Sequence, residues 1–100
     1  MSKRNPWVRV TSTAVIALCW EQDGEVELID GSAVRIGTLY VCYVTGDVYR
    51  YHQISEHDYN ALLAAKSVGR AVNVLLKPSR RAVYVYKLSK QAMEQLNGEK

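Results

Sequence analysis

The chain has 100 residues, a length typical of one domain, and 48% of them are hydrophobic, which favours a globular fold over disorder. Its net charge is +3, it contains two cysteines, and its apolar runs fall well short of the roughly 20 residues of a membrane-spanning helix. A disulfide scaffold, membrane attachment and a secretory leader are not expected, so we predict a cytoplasmic protein with reduced thiols and no cofactor.

The first part of the sequence favours β-strands. Residues 1–6 are predicted to be a flexible basic tail. Residues 8–20 are rich in Val, Ile and Thr and predict a strand, with a bend at the small residues 12–14. Residues 22–24 carry a turn signal, and residues 25–29 alternate polar and apolar side chains as a short strand does.

A β-hairpin is predicted next. Residues 34–44 have strand composition, and Gly46 followed by Asp47 fits the first-glycine form of a two-residue hairpin turn. The returning strand, residues 48–52, would place its two tyrosines on one face of the sheet and Arg50 on the other.

Two helices are predicted after the hairpin. Ser55 has Asp58 three residues downstream, close to a capping-box arrangement, and this predicts a helix over residues 56–65. Ser67 is a second candidate N-cap. It precedes an apolar stripe at i, i+4, i+7 and i+8 that consists of Val68, Val72, Leu75 and Leu76.

The last part of the chain predicts one strand and one helix. Pro78 ends the second helix, residues 82–88 alternate valine and tyrosine as a strand does, and residues 89–97 form a short terminal helix. Strands followed by helices indicate the α+β class. We predict an antiparallel sheet of about four to five strands with two to three short helices packed on one face.

Charge is distributed unevenly along the chain. Five acids fall between residues 21 and 30 with no basic residue among them, whereas residues 59–93 contain seven Lys or Arg and no acid. The basic stretch indicates either an anion-binding face or an ordinary solvated face. The acidic segment either keeps the chain soluble or pairs with a neighbouring subunit.

Ser67, Gly69, Arg70 and Asn73 make up the strongest candidate ligand site. Amides at a helix start carry partial positive charge, Gly69 permits close approach, Arg70 can bind a phosphate through two hydrogen bonds, and Asn73 can read a base edge or a ribose. The same residues also fit an ordinary corner between two helices. Further candidates for ligand contact are Lys77, Arg80, Arg81, Tyr84, Tyr86 and Arg50.

Catalytic and metal sites have no support in the pattern. The two histidines and two cysteines lack any close pair with metal-ligand spacing. Ser55, His57 and Asp58 are triad residue types, but they are adjacent in one helical turn, and a triad needs groups from separate elements. We therefore expect neither an enzyme nor a metal site.

The spacing of residues from Leu39 to Asn73 resembles the KTSC domain, a short module found at the C-terminus of some lysyl-tRNA synthetases and as small free-standing bacterial and phage proteins. The resemblance implies one domain over residues 7–98 and a role in nucleic-acid binding. The positions that carry it are Leu39, Val41, Tyr43, Gly46, Tyr49, Tyr51, Ile54, Tyr59, Leu62, Leu63, Ala65, Ser67, Gly69, Arg70 and Asn73.

Two features depart from the family pattern. Residues 21–36 look like an acidic hairpin insertion, because the family passes quickly from its first strand to its second. After Asn73 the chain continues Val-Leu-Leu-Lys-Pro instead of an Ile-Arg and an aromatic-rich ending, and residues 79–98 add a strand and a helix.

Three functions are compatible with this sequence. The first is a non-enzymatic module that binds RNA or DNA through phosphate contacts and a basic, tyrosine-rich face. The second is a small homo-oligomeric protein of phage type that sequesters a nucleotide or a cyclic oligonucleotide immune signal in a subunit pocket. The third is an adaptor whose charged patches bind another protein.

Overall fold

Five antiparallel strands lie side by side in chain order in the computed structural model, which describes residues 7–76 and 82–98. The strands are β1 (Val8–Arg9), β2 (Val15–Glu27), β3 (Ala33–Tyr43), β4 (Asp47–Ser55) and β5 (Val83–Lys87). The helices are α1 (Glu56–Ala64), α2 (Val68–Ala71), which continues into a π-helical segment (Val72–Leu76), and α3 (Lys90–Gly98). This architecture confirms the predicted α+β class. The predicted basic tail, residues 1–6, lies outside the described residues.

Helices α1 and α2 cover one side of the sheet, called here the helix side. Residues of three strands are fully buried beneath them, and these are Val15, Leu18, Leu39, Val41, Tyr51 and Ile54. The helices contribute Leu62, Val68, Val72 and Leu76 to the same cluster. The predicted apolar stripe of the second helix is thus observed at Val68, Val72 and Leu76, while the side chain of Leu75 is outside what the structure describes.

A smaller apolar cluster lies on the other side of the sheet, called here the far side. Buried Cys42 and Val48 form its centre, and Trp7, Ile16, Tyr40, Val85, Leu88 and Met93 pack around them. Because Met93 belongs to α3, this helix packs on the far side, while α1 and α2 are the two helices that share one face as predicted. The apolar side chain of Met93 covers strand residues that α1 and α2 cannot reach from the helix side.

The predicted hairpin is present, but its loop differs from the prediction. Strand β3 ends at Tyr43 and β4 begins at Asp47, so the loop has three residues instead of two. The Gly46 amide donates to the Tyr43 carbonyl oxygen at 2.8 Å. Gly46 occupies the last loop position with a φ of 94°, a conformation that glycine adopts without strain.

Strands β2 and β3 form a long ribbon that carries all five clustered acids. The turn predicted at residues 22–24 is wrong: the ladder continues past this point, with a shift in register between Gln22 and Gly24. The chain turns later, where the Leu28 amide donates to the Ser32 carbonyl oxygen at 2.7 Å. Residues 21–33 are all exposed, so the acidic segment projects as the end of the ribbon.

Both cysteines are buried and unpaired, as predicted. Burial, with a smaller contribution from Asp47, raises the pKa of the Cys42 thiol to about 11. Burial and the nearby Glu21 raise the pKa of Cys19 as well. Thiols with raised pKa values stay protonated near neutral pH and react slowly. Among the described helices, none is long and apolar enough to cross a membrane.

Gly37 sits where β3 passes closest to Trp20. The Trp20 Nε1 donates to the Ile54 carbonyl oxygen at 2.9 Å, and its ring stacks on Tyr59 with centroids 5.9 Å apart. A Cβ atom on Gly37 would lie 2.7 Å from Trp20 Cε2 and closer still to the carbonyl oxygen of Glu21. Neither neighbour is free to move, because one is backbone and the other is a fixed ring.

We therefore expect Gly37→Ala to lower the free energy of unfolding by about 2 kcal/mol, as overpacking does in a close-packed interior. Gly24→Ala is the matched control on the same ribbon, since a Cβ there meets nothing within 4 Å. It should change stability by less than about 0.5 kcal/mol. Urea denaturation of the two variants measures both values, and equal stabilities would contradict the close approach at Gly37.

Candidate ligand-binding surfaces

The corner between α1 and α2 is built as predicted. The Ser67 side-chain oxygen accepts a hydrogen bond from the Arg70 amide at 3.4 Å, which makes Ser67 the N-cap of α2. Helix α2 itself has only four residues before the π-helical segment begins. The partial charge at its N-terminus is therefore small, and an anion at this corner would be attracted mainly by side chains.

Gly69 packs against the sheet. A Cβ atom at this position would lie 3.2 Å from Ala14 Cβ and 3.3 Å from Ser12 Oγ, in the bend before β2. The absence of a side chain thus lets α2 approach that bend closely. Of the two roles that the sequence left open for Gly69, the structure favours the helix corner over ligand contact.

Arg70 and Asn73 are exposed on the outside of a segment whose Val68 and Val72 are buried. The Arg70 guanidinium makes no ion pair or hydrogen bond with any residue that the structure describes. Arg35, by contrast, forms an ion pair with Glu56 at 3.3 Å. A guanidinium without a carboxylate partner keeps its full charge and all its donors for a ligand. Lys77, Arg80 and Arg81 lie outside the described residues, and their part in this surface stays a prediction.

Tyr84 and Tyr86 lie on opposite sides of the sheet. A regular strand would place them together, since they are two residues apart. Strand β5, however, has an irregularity opposite the step from Val48 to Tyr49, so that Tyr86 pairs with Val48 and Tyr84 pairs with Tyr49. Tyr84 therefore joins the helix side, and Tyr86 joins the far side.

Arg50 lies on the far side, where it pairs across the ladder with Tyr40. It is half-buried, and its Nε is fully buried with no hydrogen-bond partner in the described part of the chain. The sheet consequently divides the predicted ligand residues. Arg70, Asn73 and Tyr84 are on the helix side, whereas Arg50 and Tyr86 are behind it.

A cleft that the sequence analysis did not identify lies on the helix side. It has a volume of about 400 Å³, and its described lining residues are Tyr43, Asp47, Tyr49, Tyr51 and Ala82. We call it the tyrosine cleft. Its rings come from β3 and β4, and Tyr84 of β5 packs edge-to-face on Tyr49 with centroids 5.3 Å apart. Tyr43 packs in the same manner on the other edge of Tyr49, at 5.7 Å.

Asp47 is held in a fixed position beside these rings. The Tyr84 hydroxyl donates to its Oδ1 at 3.3 Å, and the Thr45 hydroxyl donates to its Oδ2 at 2.8 Å. A carboxylate has about four acceptor positions. Two of them remain for a ligand donor, and the two hydroxyls orient the group for it.

Tyr51 is the most deeply placed side chain of the cleft. Its ring is fully buried, and its hydroxyl has no hydrogen bond of acceptable geometry with any described residue. The nearest polar neighbour of this hydroxyl is that of Tyr43, which lacks hydrogen-bond geometry toward it. Burial, and to a smaller extent the Tyr51 hydroxyl, raises the pKa of Tyr43 well above its usual value. Burial also raises the pKa of Tyr51.

The sequence did contain a signal for the cleft. Tyr43, Tyr49 and Tyr51 are among the positions that carry the family spacing, and Tyr49 and Tyr51 are two residues apart in one strand. They face the same side for that reason. The sequence did not indicate that β4 pairs with β5, and this pairing places Tyr84 and Ala82 beside the other tyrosines.

The comparison with protein families gives a match to the family model of the KTSC domain over residues 35–79. This match confirms the resemblance drawn from the spacing between Leu39 and Asn73. It includes most of β3, all of β4 and α1, and the corner at Ser67. A search of curated proteins returned no match.

The raised pKa values of the Tyr43 hydroxyl and the Cys42 thiol predict how stability changes at alkaline pH. The pKa of Tyr43 is raised above its ordinary value of 10.0 and that of Cys42 above 9.0, so the folded state keeps protons that the unfolded chain releases. The contribution of these groups to the free energy of unfolding is then fully present below about pH 9. It is lost progressively as the pH rises above that value. Urea denaturation at pH 8, 9, 10 and 11 measures this fall.

The variant Tyr43→Phe should lose stability less steeply above pH 10, because it has one titrating group fewer. Each proton that differs between the two states contributes about 1.4 kcal/mol per pH unit. Equal slopes for Tyr43→Phe and the natural chain would show that this hydroxyl titrates normally in the folded state.

Proposed function

We propose that this chain, whose residues 35–79 match the family model of the KTSC domain, is a small non-enzymatic module that binds nucleic acid from the helix side of its sheet. Phosphate groups are contacted by Arg70, and Asn73 adds a neutral hydrogen-bonding group beside it. The observation that carries the proposal is the exposed Arg70 guanidinium, which lacks an acidic partner among the described residues.

A guanidinium suits this role for a geometric reason. It can donate two parallel hydrogen bonds to one phosphate, and its charge is permanent at any physiological pH. Arg35 shows the contrast, because its charge is already shared with Glu56. Arg70 is four residues from Lys66, and both belong to the stretch of residues 59–93 that contains no acid.

The distribution of charge also favours a polyanionic ligand. The five clustered acids are carried away from α2 along the ribbon, so the segment around Arg70 contributes positive charge only. Fields of one sign raise the rate at which oppositely charged ligands arrive. Most of the affinity for nucleic acid would come from such phosphate contacts and would depend on salt.

A second candidate function is the sequestration of a nucleotide or cyclic oligonucleotide by a homo-oligomer. The tyrosine cleft favours it, because a volume of about 400 Å³ is in the range of pockets for small molecules. Exposed apolar side chains near the end of the ribbon, Val26, Leu28 and Ile29, favour self-association or an adaptor role. Size-exclusion mass separates an oligomer of this kind from a monomer that binds long oligonucleotides.

Replacing Arg70 tests the first function. We expect Arg70→Ala to weaken binding of a single-stranded oligonucleotide and to reduce the slope of log K against log salt by about 1, the value for one lost phosphate contact. Fluorescence anisotropy across a series of salt concentrations measures both quantities. Arg70→Lys should keep the slope, because the charge remains.

Arg35→Ala is the matched control for this experiment. It removes the same formal charge from an exposed arginine, but that arginine is already paired with Glu56. The proposal predicts a smaller change in slope for Arg35→Ala than for Arg70→Ala. Equal effects of the two variants would indicate that only net charge matters, and binding that is indifferent to salt would overturn the phosphate contacts altogether.

A further inference from the structure

The Tyr51 hydroxyl is buried without a hydrogen-bond partner in the described part of the chain, which is unfavourable for a polar group. Its side chain is fully buried and lines the tyrosine cleft, yet no described residue forms a hydrogen bond of acceptable geometry with this hydroxyl. A buried polar group without a hydrogen bond lowers stability by about 1–3 kcal/mol. A ligand that enters the cleft, displaces the side chains that cover this hydroxyl and brings an acceptor would relieve this.

The remaining lining of the cleft indicates what kind of ligand this is. Three of the five described lining residues are tyrosines, and Tyr84, which is 51% exposed, presents an accessible ring at their side. Tyrosine rings bind flat conjugated groups by stacking. The charged group among the described lining residues is the carboxylate of Asp47, which favours a ligand part that offers a hydrogen-bond donor.

Asp47 indicates which chemical group the flat ligand carries along one edge. Its carboxylate is held by the hydroxyls of Tyr84 and Thr45 and still has acceptor positions available. It can therefore accept a hydrogen bond from a donor on the ligand. An exocyclic amino group is the donor that nucleobases offer to a carboxylate, as cytosine does through its N4 amino group.

From these three observations we propose that the tyrosine cleft binds one unstacked base of a single-stranded nucleic acid and selects a base with an exocyclic amino group. The base stacks on the tyrosine rings, its amino group donates to Asp47, and one of its acceptors receives the hydrogen of the Tyr51 hydroxyl. This inference rests on the proposed nucleic-acid function. It adds to it a single-stranded ligand and a base preference.

Two matched oligonucleotides test the inference, oligo(dC) and oligo(dT), each of about 12 nucleotides, which is within the range of single-strand binding sites. The two bases are similar in size, but only cytosine has the amino group. We expect the natural chain to prefer oligo(dC) by about tenfold, the discrimination of one well-formed base contact. Asp47→Asn should remove the preference, since it replaces the charged acceptor by an amide.

Tyr51→Phe isolates the buried hydroxyl. It should weaken binding of oligo(dC) about fivefold to tenfold, the effect of one lost hydrogen bond, while the thermal stability of the free protein stays the same or rises. A hydroxyl with a purely structural role would instead lower stability when removed. Tyr40→Phe is the control: it removes a hydroxyl from the far side and should leave oligonucleotide binding unchanged.

A second probe, free cytidine monophosphate followed by calorimetry, separates the two possible failures. If oligo(dC) and oligo(dT) bind equally well and Tyr51→Phe changes nothing, while Arg70→Ala still weakens both, the base site is overturned and the nucleic-acid function stands. If neither oligonucleotide binds but cytidine monophosphate does so through Tyr51, the base site stands and the proposed function fails. Absence of binding to all three probes overturns both.

Discussion

The packing of Leu39, Val41 and Tyr51 beneath α1 and α2 determines what each side of the sheet offers to a ligand. Side chains alternate between the two faces of a strand, so burial of this set sends Tyr40 and Arg50 to the far side. A slip of one residue in β4 would place the Arg50 charge in the core in exchange for Tyr51, and an unpaired charge there is strongly unfavourable. The register is therefore well specified, and with it the division of the ligand groups into a tyrosine surface beside α2 and a half-buried arginine behind the sheet.

Features with a local physical cause could be predicted from the sequence, and features that depend on strand pairing could not. The caps at Ser55 and Ser67 involve an amide three residues away, so the sequence contained all that was needed for them. The side of Tyr84 depends instead on an irregularity in β5, which exists only relative to its partner strand β4. Residues 22–24 have the composition of a turn, but the neighbouring strand keeps them paired, and the extra residue is accommodated as a bulge. The tyrosine cleft required three strands to be adjacent, and no single segment of sequence contains that information.

The separation of charge along the sequence becomes a separation in space, because the ribbon extends the acidic segment away from the helices. One of its acids is also structural. Asp23 accepts a hydrogen bond from the buried Thr38 hydroxyl at 2.7 Å, and Thr38 in turn contacts His52 Nδ1 at 3.3 Å. This chain of contacts ties the bulge of the ribbon to the far side of β4. The acidic ribbon is thus joined firmly to the sheet, at a distance along the ribbon from the surface that carries Arg70.

The buried hydroxyl of Tyr51 needs a physical explanation. The chain has seven Tyr and no Phe, so a tyrosine on a half-exposed surface needs no special explanation. Tyr51 differs because it is fully buried and its hydroxyl is unsatisfied among the described residues. Phenylalanine would fill the same space and would avoid the desolvation of that hydroxyl, which makes tyrosine the less stable choice for the free protein. A stability disadvantage at one buried position, next to an oriented carboxylate and a series of packed rings, fits the proposed base site. There a ligand would supply the missing hydrogen bond, and binding would recover the free energy that the unsatisfied hydroxyl costs the free protein.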